Sequence, residues 1–198
     1  MQGRPELHIS AIAAGLTVYT IGHSNRPIDA FLRMLGAFGV EAVADVRTVP
    51  RSRHNPQYEQ EALRRALSEH GIEYVHLKSL GGLRRPRCDS PNTGWKNESF
   101  RGYADYMQTD EFRAGLADLI RLANEKTIAI MCAEAVPWRC HRSLISDALV
   151  VRSARVEDIL SDKRAQEHKL TPWAQTHGLD VIYPEPLCGA PPEHGGDA

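Results

Sequence analysis

Two thiols, a carboxylate, an imidazole and two guanidiniums fall within the stretch Cys132-Ala133-Glu134-Ala135-Val136-Pro137-Trp138-Arg139-Cys140-His141-Arg142. A connection that only joined a strand to a helix would carry Gly, Asp or Asn instead. Three chemistries fit. Cys132 stands ahead of a segment with helical periodicity and near Arg139, His141 and Arg142, and both features favour a thiolate. It is therefore a candidate nucleophile or redox thiol. A free cysteine is equally a small apolar side chain that packs in cores. Cys132, Glu134, Cys140 and His141 are also acceptable zinc or iron ligands, although the spacing is not that of a zinc finger and adjacent residues seldom reach one ion. No cofactor is expected on this reading, with zinc or iron as the alternative. Arg139 and Arg142, together with amides at a helix start, would cradle an anion. Glu134 is placed for proton transfer or for neutralising an arginine.

These groups need a scaffold, and apolar patterning supplies one. Leu16 to Ile21 reads as a strand stopping at Gly22-His23-Ser24-Asn25, and Pro27 opens a helix capped by Ser24 or Asn25, with Phe31, Leu32, Leu35 and Phe38 on one face. Val40 to Val46 reads as strand two, Glu59 to His70 as a helix, Ile72 to Leu77 as strand three and Thr127 to Met131 as strand four. Helical patterns cover Phe100 to Met107 and Glu111 to Asn124, and another follows Ser143. Val156 to Leu160 reads as strand five, and a short helix is expected near Thr171 to His177. The long Gly- and Pro-bearing stretch Lys78 to Ser99 is expected to be functional or mobile.

Alternating strands and helices predict an α/β fold: one domain over 17–187, a mostly parallel sheet of about five strands, helices on both faces. Residues 1–16 read as a loose leader rather than a secretory signal, and 188–198 as a disordered tail. In such sheets ligands bind at the carboxyl ends of the strands. Four polar clusters then converge on one edge: His23 and Ser24 after strand one, Asp45 and Arg47 at strand two, His76 and Lys78 at strand three, Cys132 and Glu134 after strand four. His23 is a candidate base or a cap. Asp45 and Arg47 share one face of an extended chain, as a substrate-binding pair or as a structural ion pair.

Composition restricts the partners. The 198 residues are 42% hydrophobic and 25% charged with a net charge of −1, which gives no general pull toward nucleic acid, and no apolar run approaches a membrane span. Basic groups are local: Arg51, Arg53 and His54 in one loop, and Arg84, Arg85, Arg87, Lys96 and Arg101 interleaved with Trp95, Phe100 and Tyr103 in another. Such a mixture suits phosphates and stacked bases. Four cysteines without a C-x-x-C pair point to reduced thiols and a cytoplasmic setting.

Thr20-Ile21-Gly22-His23-Ser24, Asp45-Val46-Arg47 with Pro50-x-Ser52-Arg53, and Tyr74-x-His76-Leu77 with Leu80-Gly81-Gly82 resemble the bacterial family called domain of unknown function 488. Phe100-Arg101-Gly102-Tyr103-Ala104, Met131-Cys132-Ala133-Glu134 and Cys140-His141-Arg142 continue the resemblance over about Thr17 to Leu160. It implies a compact cytosolic α/β domain with a site built from these motifs, and no established reaction. A looser analogy links the Asp-Val-Arg strand end and the Cys132–Arg142 loop to rhodanese-type sulfurtransferases. Here, however, the loop is longer and lacks the glycines that would fan amides around a sulfur.

The expected function is an enzyme, a thiol-dependent hydrolase or transferase, acting on an anionic, phosphate-bearing substrate such as a nucleotide or a nucleic-acid end. Cys132 would be the nucleophile or thiol carrier, and Glu134 and His23 the proton-transfer groups. Arg47, Arg53, Arg139, Arg142, His141, Asp45, Ser24 and His76 would hold or orient the substrate. The alternatives are a non-catalytic nucleotide or nucleic-acid binding module and a rhodanese-like sulfur carrier.

Overall fold

A computed structural model describes residues 12, 13 and 15–185. The expected tail and most of the expected leader lie outside the described residues. Six strands form one sheet: β1 (Thr17–Gly22), β2 (Ala42–Asp45), β3 (Glu73–His76), β4 (Ile128–Cys132), β5 (Arg155–Ser161) and β6 (Arg164–Glu167), in the order β3-β2-β4-β1-β5-β6. The first five are mutually parallel and β6 returns antiparallel to β5. Five α-helices connect or flank them: α1 (Ile28–Ala37), α2 (Gln60–Ser68), α3 (Glu98–Tyr106), α4 (Asp110–Glu125) and α5 (Arg142–Val150). The architecture is α/β. Among the described residues no helix is long and apolar enough to cross a membrane.

Right-handed crossovers decide which helix covers which face. The moves β1 to β2 and β2 to β3 run one way along the sheet, so α1 and α2 share a face. Phe31, Leu35, Leu63 and Leu67 pack there on Ile21, Val43, Ala129 and Met131. The moves β3 to β4 and β4 to β5 run the other way, and α3, α4 and α5 cover the opposite face. Tyr103, Phe112, Leu116, Leu144 and Leu149 pack there on Ala44, Ile128, Ile130 and Cys132. Because alternate strand residues point to opposite faces, β4 serves both cores and is buried along its whole length.

The structure differs from the sequence expectation in three places. The sheet has a sixth strand. Where a helix was expected near Thr171–His177, the chain forms a hairpin of β7 (Gln175–His177) and β8 (Asp180–Ile182), which turns at Gly178 with φ +62°. The helix α1 is preceded by Pro27, and neither Ser24 nor Asn25 caps it. The stretch 78–99 is tied down by side chains. The hydroxyls of Tyr103 and Tyr106 donate to the carbonyls of Leu80 and Ser79, and buried Asn92 bridges Asp105 and the Tyr183 amide.

Candidate functional site

The strand registers set the site. Gly22 lies beside Cys132, and Asp45 lies between Met131 and His76, so the four polar clusters stand at one level on the carboxyl edge. The chain leaves β2 toward β3 and leaves β4 toward β5 on the other side. The connections therefore part between β2 and β4, the position where open α/β sheets bind ligands. The loop after β4 folds back over the end of β1: the amides of His23 and Ser24 donate to the carbonyls of Cys132 and Ala133 at 3.0 and 2.8 Å. Gly22 permits this approach, since a Cβ there would overlap the Glu134 carbonyl oxygen.

The pleat divides the edge into two halves. On the α1/α2 side, Asp45 is fully buried and accepts bonds from the Arg47 amide, Nε and Nη2 and from the Tyr74 hydroxyl, the last two at 2.6 and 2.7 Å. Arg47 is also buried and donates to the Tyr58 carbonyl. Burial works against its charge, the Asp45 carboxylate outweighs burial, and its pKa rises. Arg47 is therefore the structural partner of Asp45 and has few donors left for a substrate. His23 stacks on Tyr58 with ring centroids 4.1 Å apart, and its Nδ1 lies 2.8 Å from the Ser24 carbonyl oxygen. Burial lowers its pKa to about 4. The ring is thus neutral at pH 7, with Nδ1–H donated to Ser24 and Nε2 turned toward Arg47 at 3.4 Å. That makes it a prop for Arg47 and a weak base. His76 Nε2 donates to the Arg47 carbonyl at 2.9 Å, and the Ser24 hydroxyl faces Asn25.

On the other side, a 3₁₀ turn over Pro137–Arg139 brings Cys140 back to Cys132. Donor atoms of Cys132, Cys140 and His141 all lie within 4.8 Å of one another. Both thiols are buried, Cys132 at 8% and Cys140 at 3% exposure. The Cys132 thiol is held up by its hydrogen bond to the Cys140 sulfur and by burial. Cys140 is held down by that same bond, against burial, with His141 and Arg142 adding to the effect. Of the two thiols, Cys132 is pushed up and Cys140 is pushed down. His141 Nδ1 lies 3.7 Å from the Cys140 sulfur, and Nε2 lies 3.1 Å from the Val46 carbonyl oxygen.

Arg142 is the largest fully buried side chain of the described residues. It donates to the Glu134 carbonyl at 2.7 Å and to the Thr20 hydroxyl at 3.1 Å, and its Nε has no partner among the described residues. Thr20 donates to Asp158 at 2.6 Å. Behind Asp158 lies His168, 3.7 Å away, whose other nitrogen meets Asp147 at 2.8 Å; Asp147 also accepts from Thr171 and Tyr183. Burial works against the His168 charge, but the two carboxylates outweigh it and raise its pKa to about 9. No motif in the sequence announced this network. Its one signal was Asp147, a carboxylate beside Ile145, Ala148 and Leu149 on a buried helix.

The remaining candidates are exposed. Arg53, Arg139 and the Glu134 side chain all face solvent, so Arg139 and Arg142 do not form one cradle: the first lies at the surface and the second is buried. A groove of about 520 Å³ opens beside the edge, lined by Thr48, Arg51, Glu59, His76 and Lys78 among others.

The family model for Domain of unknown function DUF488 matches residues 27–149. The match spans more than half of the chain, and the chain belongs to that family. Comparison with curated proteins and with solved structures finds no match.

Proposed function

We propose that this protein is an enzyme acting on an anionic, phosphate-bearing substrate, a nucleotide or a nucleic-acid end, and that the reaction takes place at the centre formed by Cys132, Cys140 and His141. The observation that carries the reading is the meeting of two buried cysteines, an imidazole and a buried guanidinium beside the β2/β4 parting of the chain. Arg142 has no carboxylate bonded to it directly among the described residues, and a buried cation calls for a nearby anion. A substrate phosphate at the edge would supply that charge. His23, Asp45 and Arg47 act in this reading as the frame that fixes the β2 end, and Glu134 remains the exposed group for proton transfer. Thiols kept reduced suit the cytoplasm.

Screening nucleoside mono-, di- and triphosphates and terminally phosphorylated oligonucleotides for phosphate release or transfer tests this. Turnover of at least one class is expected, and failure across the panel, with metal and with chelator, would count against it.

A second reading, a nucleic-acid binding module, draws on the surface around the same edge. Trp138 is 64% and Leu83 78% exposed, and Arg139, Arg51, Arg53 and Arg85 are exposed as well. An exposed indole followed in the chain by an exposed arginine is suited to stacking a base beside its phosphate. Binding of this kind weakens with log K falling linearly in log salt. A salt titration showing that slope without any turnover would favour the module over the enzyme.

A further inference from the structure

We infer that Cys132, Cys140 and His141 form a binding site for one divalent metal ion of the zinc class, three protein ligands with a fourth position left to water or substrate. The inference deepens the reaction centre proposed above and rests on that reading only for what the metal would do.

Zinc is held by thiolate sulfur at about 2.3 Å and imidazole nitrogen at about 2.0 Å in a tetrahedron, which sets its ligand atoms roughly 3.5–3.8 Å apart. The Cys140 sulfur and His141 Nδ1 already stand at 3.7 Å, and no pair of the three donors exceeds 4.8 Å. Closing on an ion therefore requires shifts of about 1 Å at most. Although Cys140 and His141 are adjacent, the chain lets both reach one point. Cys140 ends the 3₁₀ turn in extended conformation, while His141 turns into the start of α5.

The imidazole carries the second mark of a ligand. Metal-binding histidines donate their other ring N–H to a carbonyl or carboxylate, which fixes the tautomer. His141 Nε2 lies 3.1 Å from the Val46 carbonyl oxygen, so in the neutral ring Nε2 carries the proton and Nδ1 presents a lone pair to the thiols. The ring is held from its faces. Tyr103 packs at 4.9 Å between centroids. A Cβ on Gly82 would meet Cγ and Cε1 at 2.7 and 2.8 Å and would press on Nδ1 as well. Such similar approaches to three ring atoms place Gly82 over the ring plane, leaving the in-plane lone pair open.

Charge favours the same answer. Two thiolates and a divalent ion sum to zero, and the buried Arg142 leaves the centre positive, which suits an anionic substrate. Soft sulfur donors select zinc or a similar ion over magnesium or calcium. With an ion in place the thiolates would be its ligands, and the ion would supply an activated water for hydrolysis: the water's proton would pass to solvent, its oxygen would bond to phosphorus, and the P–O ester bond would break with the leaving oxygen taking a proton from solvent.

Cobalt(II) and zinc(II) are the probes. The reduced full-length protein, stripped with chelator, is titrated with cobalt and followed by its thiolate-to-cobalt charge-transfer and tetrahedral d–d absorption. One equivalent per chain is expected, displaced by zinc. In parallel, zinc should slow alkylation of Cys132 and Cys140 in the wild-type chain at least tenfold, measured residue by residue by mass spectrometry, with Cys88 unchanged. Cys132→Ser, Cys140→Ser and His141→Gln should each weaken binding, and Cys88→Ser should not. Absence of a charge-transfer band in the wild type, or zinc protection that does not distinguish Cys132 and Cys140 from Cys88, would overturn the site even if a variant failed to fold. Protein that binds cobalt but turns over no phosphate ester refutes the substrate reading alone. Protein that binds cobalt yet turns over an ester equally well with and without metal refutes the ion's part in the reaction alone.

Discussion

His168 offers a quantitative test of how Arg142 is held. Its ring sits between Asp147 and Asp158 with 9% of its side chain exposed, and its pKa is raised from 6.5 to about 9. A folded-state pKa above the unfolded value means that the folded chain holds the proton more tightly. The resulting stability is complete below about pH 6.5 and is lost as pH rises through about 9. A difference of that size is worth about 3 kcal/mol, or roughly 6–12 °C in melting temperature for a chain of this length. Replacement by Gln removes the titration. Urea unfolding of the wild type and His168→Gln at about pH 6 and about pH 9.5 should show the gap between the two proteins shrinking by about 3 kcal/mol at the higher pH. A gap independent of pH would refute the buried imidazolium, and with it the chain of contacts from Asp147 through Asp158 and Thr20 to Arg142.

Other consequences follow from single contacts. Asp45→Asn takes the counter-charge from buried Arg47, and should cost about 3–5 kcal/mol of unfolding free energy; a loss below about 1 kcal/mol would show that Arg47 finds other partners. Gly22→Ala drives a methyl into the Glu134 carbonyl, so the loop carrying Cys132 must lift. A loss above about 2 kcal/mol is expected in denaturant melts, together with altered thiol reactivity, and unchanged behaviour would contradict the close approach. Arg142→Met removes a cation that favours the Cys140 thiolate. In chelator-treated protein near pH 7 the ultraviolet thiolate band should shrink relative to the wild type, while Arg142→Lys should retain part of it. An undiminished band in Arg142→Met would leave the thiolate to the Cys132 hydrogen bond and His141.

The parallel sheet was legible because its strands are short β-branched or apolar runs ending at Gly22, Asp45, His76 and Cys132, and because helices between them carry regular apolar faces. The rule that polar strand ends meet at one edge needed no coordinates. β6 was hidden because Arg164-Ala165-Gln166-Glu167 is an edge strand, largely exposed, with no apolar alternation to reveal it. The hairpin after Thr171 was misread because Trp173 and Ala174 look like the start of an apolar face, whereas Gly178 at positive φ closes a turn. Within the site, residue types were readable and partnerships were not. Asp45 and Arg47 looked equally like a substrate pair and an ion pair, and only the structure shows how deeply they are buried against each other. Cys132 drew attention as the strand-end thiol, and only the 3₁₀ turn that returns Cys140 to it makes the two a pair. His168 and Asp158 lie on elements remote from the loop, and nothing local in the sequence links them to Arg142.

The most direct test of the reaction centre is the turnover of the best phosphate-bearing substrate by Cys140→Ser, compared with wild type and Cys88→Ser at matched folding by circular dichroism. Loss of the Cys140 sulfur should lower kcat/KM by at least about 10³-fold, about 4 kcal/mol of transition-state stabilisation, with Cys88→Ser at the wild-type level. Retention of near wild-type turnover by folded Cys140→Ser would contradict the account and move the chemistry away from the Cys132–Cys140–His141 centre.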